Sequence, residues 1–126
     1  MARQFHCDVC KRATEEVVGK LCSTCLAWAA GFFDGEGGTY IQHNARKRKY
    51  LKIIVGQKHR EPLDRIRRIF QCGNITQRAN GIYVWQVCTG DDVHHVLEMM
   101  WPYLTEIKRL QANIAIDLCN ESRLVA

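Results

Sequence analysis

The sequence predicts an α+β fold, with helices packed on one face of a four-stranded antiparallel sheet and a small zinc knuckle or ribbon placed ahead of it. Three observations predict it. Two cysteine pairs, Cys7-Asp-Val-Cys10 and Cys22-Ser-Thr-Cys25, stand near the N-terminus. An apolar run rich in small residues then starts at Leu26 and ends in Asp34-Gly35-Glu36-Gly37. Beyond it, segments of strand-like alternation come in pairs, and each pair is followed by a segment of helical periodicity. The resulting order is α-ββ-α-ββ-α-α, an approximate internal repeat after the first helix. A chain of 126 residues fits one domain with a modest core plus an appendage. The division falls at residues 1–25 for the cysteine unit and 26–126 for the remainder.

The cysteine unit comes first. Seven cysteines are an odd number, and the first ten residues, MARQFHCDVC, lack the apolar stretch of a secretory signal. The expectation is a cytoplasmic chain whose cysteines are thiols or metal ligands rather than disulfides. Two CxxC pairs separated by eleven residues each wrap one side of a tetrahedral ion, and four thiolates close the shell. Cys7, Cys10, Cys22 and Cys25 are therefore read as structural Zn²⁺ ligands, with no open position for catalysis. A redox dithiol would want a thioredoxin-like βαβ pattern, which is not seen. His6 is an alternative ligand, though four cysteines already suffice. Gly19 and Lys20 supply a turn before the second pair. Cys72, Cys88 and Cys119 lie far apart and read as buried small residues.

Ser23 or Thr24 caps a first helix that runs to about Asp34. Leu26, Ala29 and Phe33 share the face expected to meet the core. Ala27, Ala30, Gly31 and Asp34 share another, whose small side chains allow a second helix to approach closely. The glycines then let the chain leave the helix at once. Residues 38–44 and 50–57 alternate as strands about a basic tip, Ala45–Lys49. Glu61-Pro62 opens a helix with Leu63, Ile66, Ile69 and Phe70 as its stripe. Asn74–Arg78 and Ile82–Cys88 form a second strand pair about Asn80-Gly81, a tight-hairpin signal. Asp91 caps the next helix, with Val93, Val96, Leu97, Met100 and Trp101 in helical register ahead of Pro102. A last helix spans about Thr105 to Asn120, with Ile107, Leu110, Ile114 and Leu118 on one stripe.

Such a sheet has one face on the helices and one face free. The free face carries Tyr40, Gln42, Asn44, Arg48, Tyr50, Lys52, Thr76, Arg78 and Gln86, with Arg46 at the basic tip. Net charge is +5 with 18 Lys and Arg, which suits a polyanionic partner and equally a merely soluble basic protein. The face itself has two readings: a solvated surface, or a curved sheet lying in a DNA major groove and reading base edges. No apolar run reaches the ~20 residues of a membrane span, so no membrane partner is expected.

Residues 29–37, Ala-Ala-Gly-Phe-Phe-Asp-Gly-Glu-Gly, resemble the LAGLIDADG motif of homing endonucleases. So does the element order, and so do Gln57-Lys58, Gly73-Asn74-Ile75 and the stretch Lys108-Arg109-Leu110-Gln111-Ala112-Asn113. The resemblance covers roughly residues 26–120. Ala29 replaces the motif's leading Leu, Phe32-Phe33 are bulkier than Leu-Ile, and Glu36 stands for the second Asp.

The resemblance implies a sequence-specific double-stranded DNA endonuclease. One motif copy implies a homodimer, with Ala27, Ala30, Gly31 and Asp34 at its interface. Glu36 matches the acid that binds the catalytic Mg²⁺ (Mn²⁺ or Ca²⁺ can occupy the site), with Gly35 beside it. Asp34 matches the acid that is mainly structural. Gln57 and Lys108 match the polar pair near the attacking water and the scissile phosphate. The family cuts long, near-palindromic sites across the minor groove and leaves short 3′ overhangs. The alternative on the same fold is a non-cleaving nucleic-acid-binding protein, such as a maturase for intron RNA or a transcription regulator. The cysteine pairs lie outside the family's core pattern. Support of the first helix is their expected role, and an added contact to DNA or a partner protein the other.

Overall fold

The computed structural model describes residues 5–7, 9–11, 13–14, 17–18 and 21–124. Two miniature antiparallel hairpins open it: β1 (Phe5–His6) pairs with β2 (Ala13–Thr14), and β3 (Val17–Val18) with β4 (Leu21–Cys22). Cys7 follows β1 and Cys22 closes β4, so each cysteine pair abuts a hairpin. The expected turn at Gly19 and Lys20 lies outside the described residues.

The first helix, α1 (Ser23–Glu36), is capped by neither Ser23 nor Thr24. Its N-cap is Cys22, whose sulfur accepts the Cys25 N–H at 3.3 Å. A sulfur pointed back at the first turn replaces the usual hydroxyl oxygen. The helix also runs two residues past Asp34, which makes Glu36 its last residue. Cys25, Leu26, Ala29, Ala30 and Phe33 are buried along it.

No loop separates α1 from β5 (Gly37–His43). A Cβ on Gly37 would stand 2.7 Å from Phe33 Cδ2 and 2.8 Å from Val55 Cγ2, so only glycine permits this direct passage. Gly37→Ala is expected to destabilise the protein by ~1–3 kcal/mol through overpacking. Urea unfolding measures it, and a variant as stable as the parent would contradict the close approach.

β5 pairs antiparallel with β6 (Lys49–Gln57), placing Gly37 opposite Val55 and Tyr40 opposite Lys52. The connecting tip is closed by Asn44, whose Oδ1 accepts the backbone N–H groups of Arg46 and Arg48. Next comes α2 (Glu61–Phe70), with Pro in its first turn and Leu63, Ile66, Ile69 and Phe70 buried. β7 (Asn74–Gln77) and β8 (Tyr83–Val87) follow; β7 ends one residue before Arg78, and β8 is one residue shorter at each end than expected. The connection keeps the expected span, residues 79–81, with Asn80-Gly81 inside it. Arg78 N–H donates to the Ile82 carbonyl, and Gly81 takes φ +91°. This is a three-residue connection with its glycine in the left-handed region. The sheet order is β5-β6-β8-β7.

The next helix, α3 (Gly90–Met100), starts earlier than expected. Thr89 is its N-cap, and Asp91 lies within the first turn beside Asp92, where negative charge suits the helix dipole. A 3-10 turn at Trp101–Tyr103 leads to α4 (Glu106–Leu124). The core forms between α1, α2 and α3 and one face of the sheet: Leu51, Ile53, Val55, Trp85 and Val87 meet the helix residues already named. Cys7, Cys22 and Cys25 belong to this same core, so the cysteine unit is packed continuously with the helical layer.

α4 departs from its predicted stripe. Ala112, Ala115 and Cys119 turn inward, whereas Ile107, Leu110, Ile114 and Leu118 are 78%, 59%, 52% and 42% exposed. The helix lies along the outer edge of β5, and small residues bring it close there. Its rotation is set by polar bonds to the strand rather than by the apolar stripe. Cys88 is likewise exposed and Cys72 only part-buried, so of the three scattered cysteines Cys119 alone fits the expected burial. Among the described residues no helix is long and apolar enough to cross a membrane.

Candidate metal centres and nucleic-acid interface

The cysteine cluster meets the requirements of a tetrahedral metal. The four sulfurs of Cys7, Cys10, Cys22 and Cys25 all lie within 4.8 Å of one another. Cys7 and Cys25 sulfurs stand 3.5 Å apart, and those of Cys10 and Cys22 3.6 Å. Zn–S bonds of about 2.3 Å in a tetrahedron put sulfurs about 3.8 Å apart, so an ion fits with minor expansion. Burial pushes the Cys22 and Cys25 thiols up. Burial acts the same way on Cys7, but hydrogen bonds from the Cys10 and Val9 backbone amides and from the Cys22 and Cys25 thiols outweigh it and bring Cys7 down to about 6. Four close sulfurs, three of them on buried residues, cannot all ionise alone; a divalent cation removes that conflict.

At the far end of α1 a second arrangement forms. Glu36 is exposed on the last helical residue, and no hydrogen bond or ion pair engages its carboxylate among the described residues. A carboxylate at the negative end of a helix dipole is poorly placed unless a cation joins it. The Gly35 carbonyl belongs to the set that a helix end leaves without intrahelical partners. These oxygens suit a hard divalent ion, and they are too few to complete its shell alone. Asp34 is committed elsewhere: its Oδ1 accepts from both the N–H and the hydroxyl of Thr105.

Gln57 and Lys108 reach the same end of the sheet. Lys108 Nζ donates to the carbonyl of Gly37, the residue next to Glu36. Gln57 closes β6 two residues beyond Val55, the partner of Gly37, and its Oε1 accepts the Lys58 N–H at 2.8 Å. Glu36, Gln57 and Lys108, distant in sequence, thus belong to the end of the sheet where α1 passes into β5.

The register sorts the predicted reading face. Tyr40, Gln42, Tyr50, Lys52, Thr76 and Gln86 share the side of the sheet away from the helices. Lys52 Nζ donates to Gln42 Oε1 at 2.7 Å across the strands. Arg46 and Arg48 are exposed at the hairpin tip, and Arg78 at the other loop. Asn44 differs from expectation. Its side-chain oxygen holds the tip turn, so it shapes the loop rather than presenting that oxygen outward.

Ala30 corrects the expected interface. It is fully buried within the protomer against the other helices, so it offers nothing to a second copy. The outward stripe of α1 is Thr24, Ala27, Gly31 and Gly35, and among the described residues nothing beyond the local helix lies within 4 Å of where a Cβ on Gly31 or Gly35 would sit. Trp28 and Phe32 flank it, stacked at 5.4 Å, with the Arg65 guanidinium 4.0 Å from the Trp28 ring centroid.

Residues 29–115 match the LAGLIDADG endonuclease family. The chain belongs to that family. DNA endonuclease I-CvuI of Chlorella vulgaris is 32% identical over 102 residues, which cover 74% of this chain and 62% of that relative. The chain therefore spans less than two thirds of the curated relative's length. The crystal structure of I-CvuI on DNA with magnesium, its DNA not cleaved, gives a TM-score of 0.66 at 27% identity, over 78% of this chain and 67% of that one. A second I-CvuI complex, with its target and calcium, gives 0.64 at 28% identity over the same shares, 78% and 67%. The archaeal intron-encoded homing endonuclease I-Vdi141I, complexed with DNA, shares the fold at a TM-score of 0.61 and 22% identity, over 75% and 69% of the two chains.

Within this LAGLIDADG fold, sequence reasoning missed three residues. Asn74 lies level with Gln86 on the reading face, beside Ile54, which the strand alternation already turns that way. Strand parity from Thr76 would have found Asn74. Thr105 and Gln111 bond to the exit of α1 across some 70 residues of chain; no local signal announces those contacts.

Proposed function

We propose that this chain is a homing endonuclease: a sequence-specific, double-stranded DNA endonuclease that acts as a homodimer on a long, near-palindromic site. The observation that supports it most is the bond of Lys108 to the carbonyl of Gly37, the residue after Glu36, at the end of the sheet where Gln57 closes β6, next to a sheet face bearing Tyr40, Gln42, Tyr50, Lys52 and Gln86. The relationship to I-CvuI supports DNA as the partner.

Glu36 and the Gly35 carbonyl hold the divalent ion, Mg²⁺ by preference for oxygen donors. When bound, that ion supplies Lewis acidity toward the phosphate and a more acidic water. Gln57 orients the water, and Lys108 carries positive charge to the phosphate as negative charge develops. The cations of Arg46, Arg48 and Arg78 follow the DNA backbone, so affinity falls steeply with salt. The outward stripe of Ala27, Gly31 and Gly35 lets two copies of α1 cross closely, bringing the two Glu36 carboxylates together and completing the shells that one protomer leaves open. Each copy then serves one strand, and short 3′ overhangs result. Zn²⁺ on the four cysteines fixes the start of α1.

A cleavage selection on a randomised duplex library in Mg²⁺ tests the reading. Recovery of one near-palindromic site cut with 3′ overhangs, by a species with the mass of a dimer on DNA, is the expected result. No cut product from any library member, together with selective binding of folded intron RNA, would replace it with the maturase reading.

A further inference from the structure

The exit of α1 and the start of β5 are bonded to Thr105 and α4 at three points. Asp34 Oδ1 accepts the Thr105 N–H at 2.9 Å and the Thr105 hydroxyl at 2.8 Å. Lys108 Nζ donates to the Gly37 carbonyl. The Thr39 N–H donates to Gln111 Oε1 at 3.3 Å. Residues 34, 37 and 39 on one side thus meet 105, 108 and 111 on the other, along the outer edge of β5.

Asp34 is oddly placed for α1 itself, since a carboxylate near a helix C-terminus opposes the dipole. It is well placed for α4. Thr105 precedes the first residue of that helix, where backbone N–H groups have no intrahelical acceptor and negative charge is favoured. The carboxylate therefore ties the end of the helix carrying Glu36 to the start of the helix carrying Lys108. Beyond these three points α4 is held by the buried Ala112, Ala115 and Cys119, and by Arg109 Nε, which donates to the Trp101 carbonyl at 3.0 Å; none of these touches the exit of α1. Lys108 sits one turn from the tie and would move with it.

We propose that Asp34 and Thr105 are positioning residues that set Lys108 against the Glu36 metal position. This rests on the nuclease reading above. Its test uses the whole chain, the duplex recovered by selection, and two separate readouts: single-turnover cleavage rate in Mg²⁺ and equilibrium DNA affinity in Ca²⁺. Thr105→Val deletes the hydroxyl donor with little change of shape. It is expected to slow cleavage by about tenfold to a hundredfold, the penalty for displacing a reacting group by roughly an ångström, and to leave affinity unchanged. Thr105→Ser restores the donor and is expected to restore the rate. Parental cleavage by Thr105→Val, a Ser variant as slow as the Val variant, or affinity falling in step with rate would each overturn the proposal. If Thr105→Val does not fold, Asp34→Asn takes its place, since it keeps an acceptor oxygen but loses the charge. It must slow cleavage at intact affinity, or the proposal fails. The parent and Glu36→Gln separate the levels of inference: no cutting by the parent sinks the nuclease reading, normal cutting by Glu36→Gln sinks the metal position on which the proposal rests, and inactivity of Glu36→Gln beside a fast Thr105→Val sinks only the positioning role.

Discussion

Glu36→Gln is expected to bind DNA as the parent does and to cleave it at least ~10²–10³-fold more slowly, the scale of losing a preorganised electrostatic contact at the reacting centre. The substitution keeps size and hydrogen-bonding capacity and removes only the charge. Because the Glu36 carboxylate is exposed and engaged by no other described side chain, its loss should cost the fold little. Gel-shift affinity in Ca²⁺ and a cleavage time course in Mg²⁺ measure the two quantities independently. Cutting at the parental rate would show that the metal sits elsewhere. A parallel loss of binding and cutting would show that Glu36 holds the structure together rather than the ion. Glu36→Asp is a useful companion. It retains the charge on a shorter side chain, so part of the rate should return.

Removing zinc is expected to have the largest effect on stability. Structural four-cysteine sites bind with apparent free energies of ~10–16 kcal/mol near neutral pH, and that energy is coupled to folding. Here Cys7, Cys22 and Cys25 are part of the same buried core as Leu26, Ala29 and Phe33, and Cys22 also caps α1. Loss of the ion should therefore loosen the first helix as well as the hairpins. Each kcal/mol lost lowers the melting midpoint by about 4 °C in a domain of this size, so chelation should lower it by tens of degrees. Cys22→Ser should do the same without chelator. The pH dependence has a definite sign. Burial holds the Cys22 and Cys25 thiols above their ordinary values, so they are protonated before the metal arrives. Zinc binding must release those protons, and its affinity must fall as pH falls. Zinc titrated into a weakly buffered, metal-free sample should acidify it. A purified protein without one zinc per chain, melting identically with and without chelator, would remove the assignment.

Much of the fold was legible because its signals are local. The buried stripes of α2 and α3 follow from apolar residues at three- and four-residue steps, and the structure buries Leu63, Ile66, Ile69, Val93, Val96 and Leu97 accordingly. The alternation in residues 50–57 places Leu51, Ile53 and Val55 inward and Tyr50 and Lys52 outward. The CxxC spacing brings four sulfurs together because each pair spans a single turn. Caps were less legible. Cys22 displaced Ser23 because its sulfur faces the first turn, whereas Thr89 stands at the N-cap of α3 with no side-chain bond to it and Asp91 lies inside the first turn.

The errors share a cause. Ala30 and Gly31 look alike in sequence, one small residue following another, yet one is sealed in the core and the other lies open. The stripe on α4 reads as a core face but points outward, because Lys108 and Gln111 fix the helix by its polar side against a strand edge. Sequence by itself determined the main elements, the cysteine spacing and the candidate acids, since these depend on residues within a few positions of one another. Only the tertiary structure decided which face of each helix is covered, and which distant groups meet at Gly37. Those contacts, 34 with 105, 37 with 108 and 39 with 111, join residues some seventy positions apart, and no local pattern encodes a meeting that the packing of the whole chain brings about.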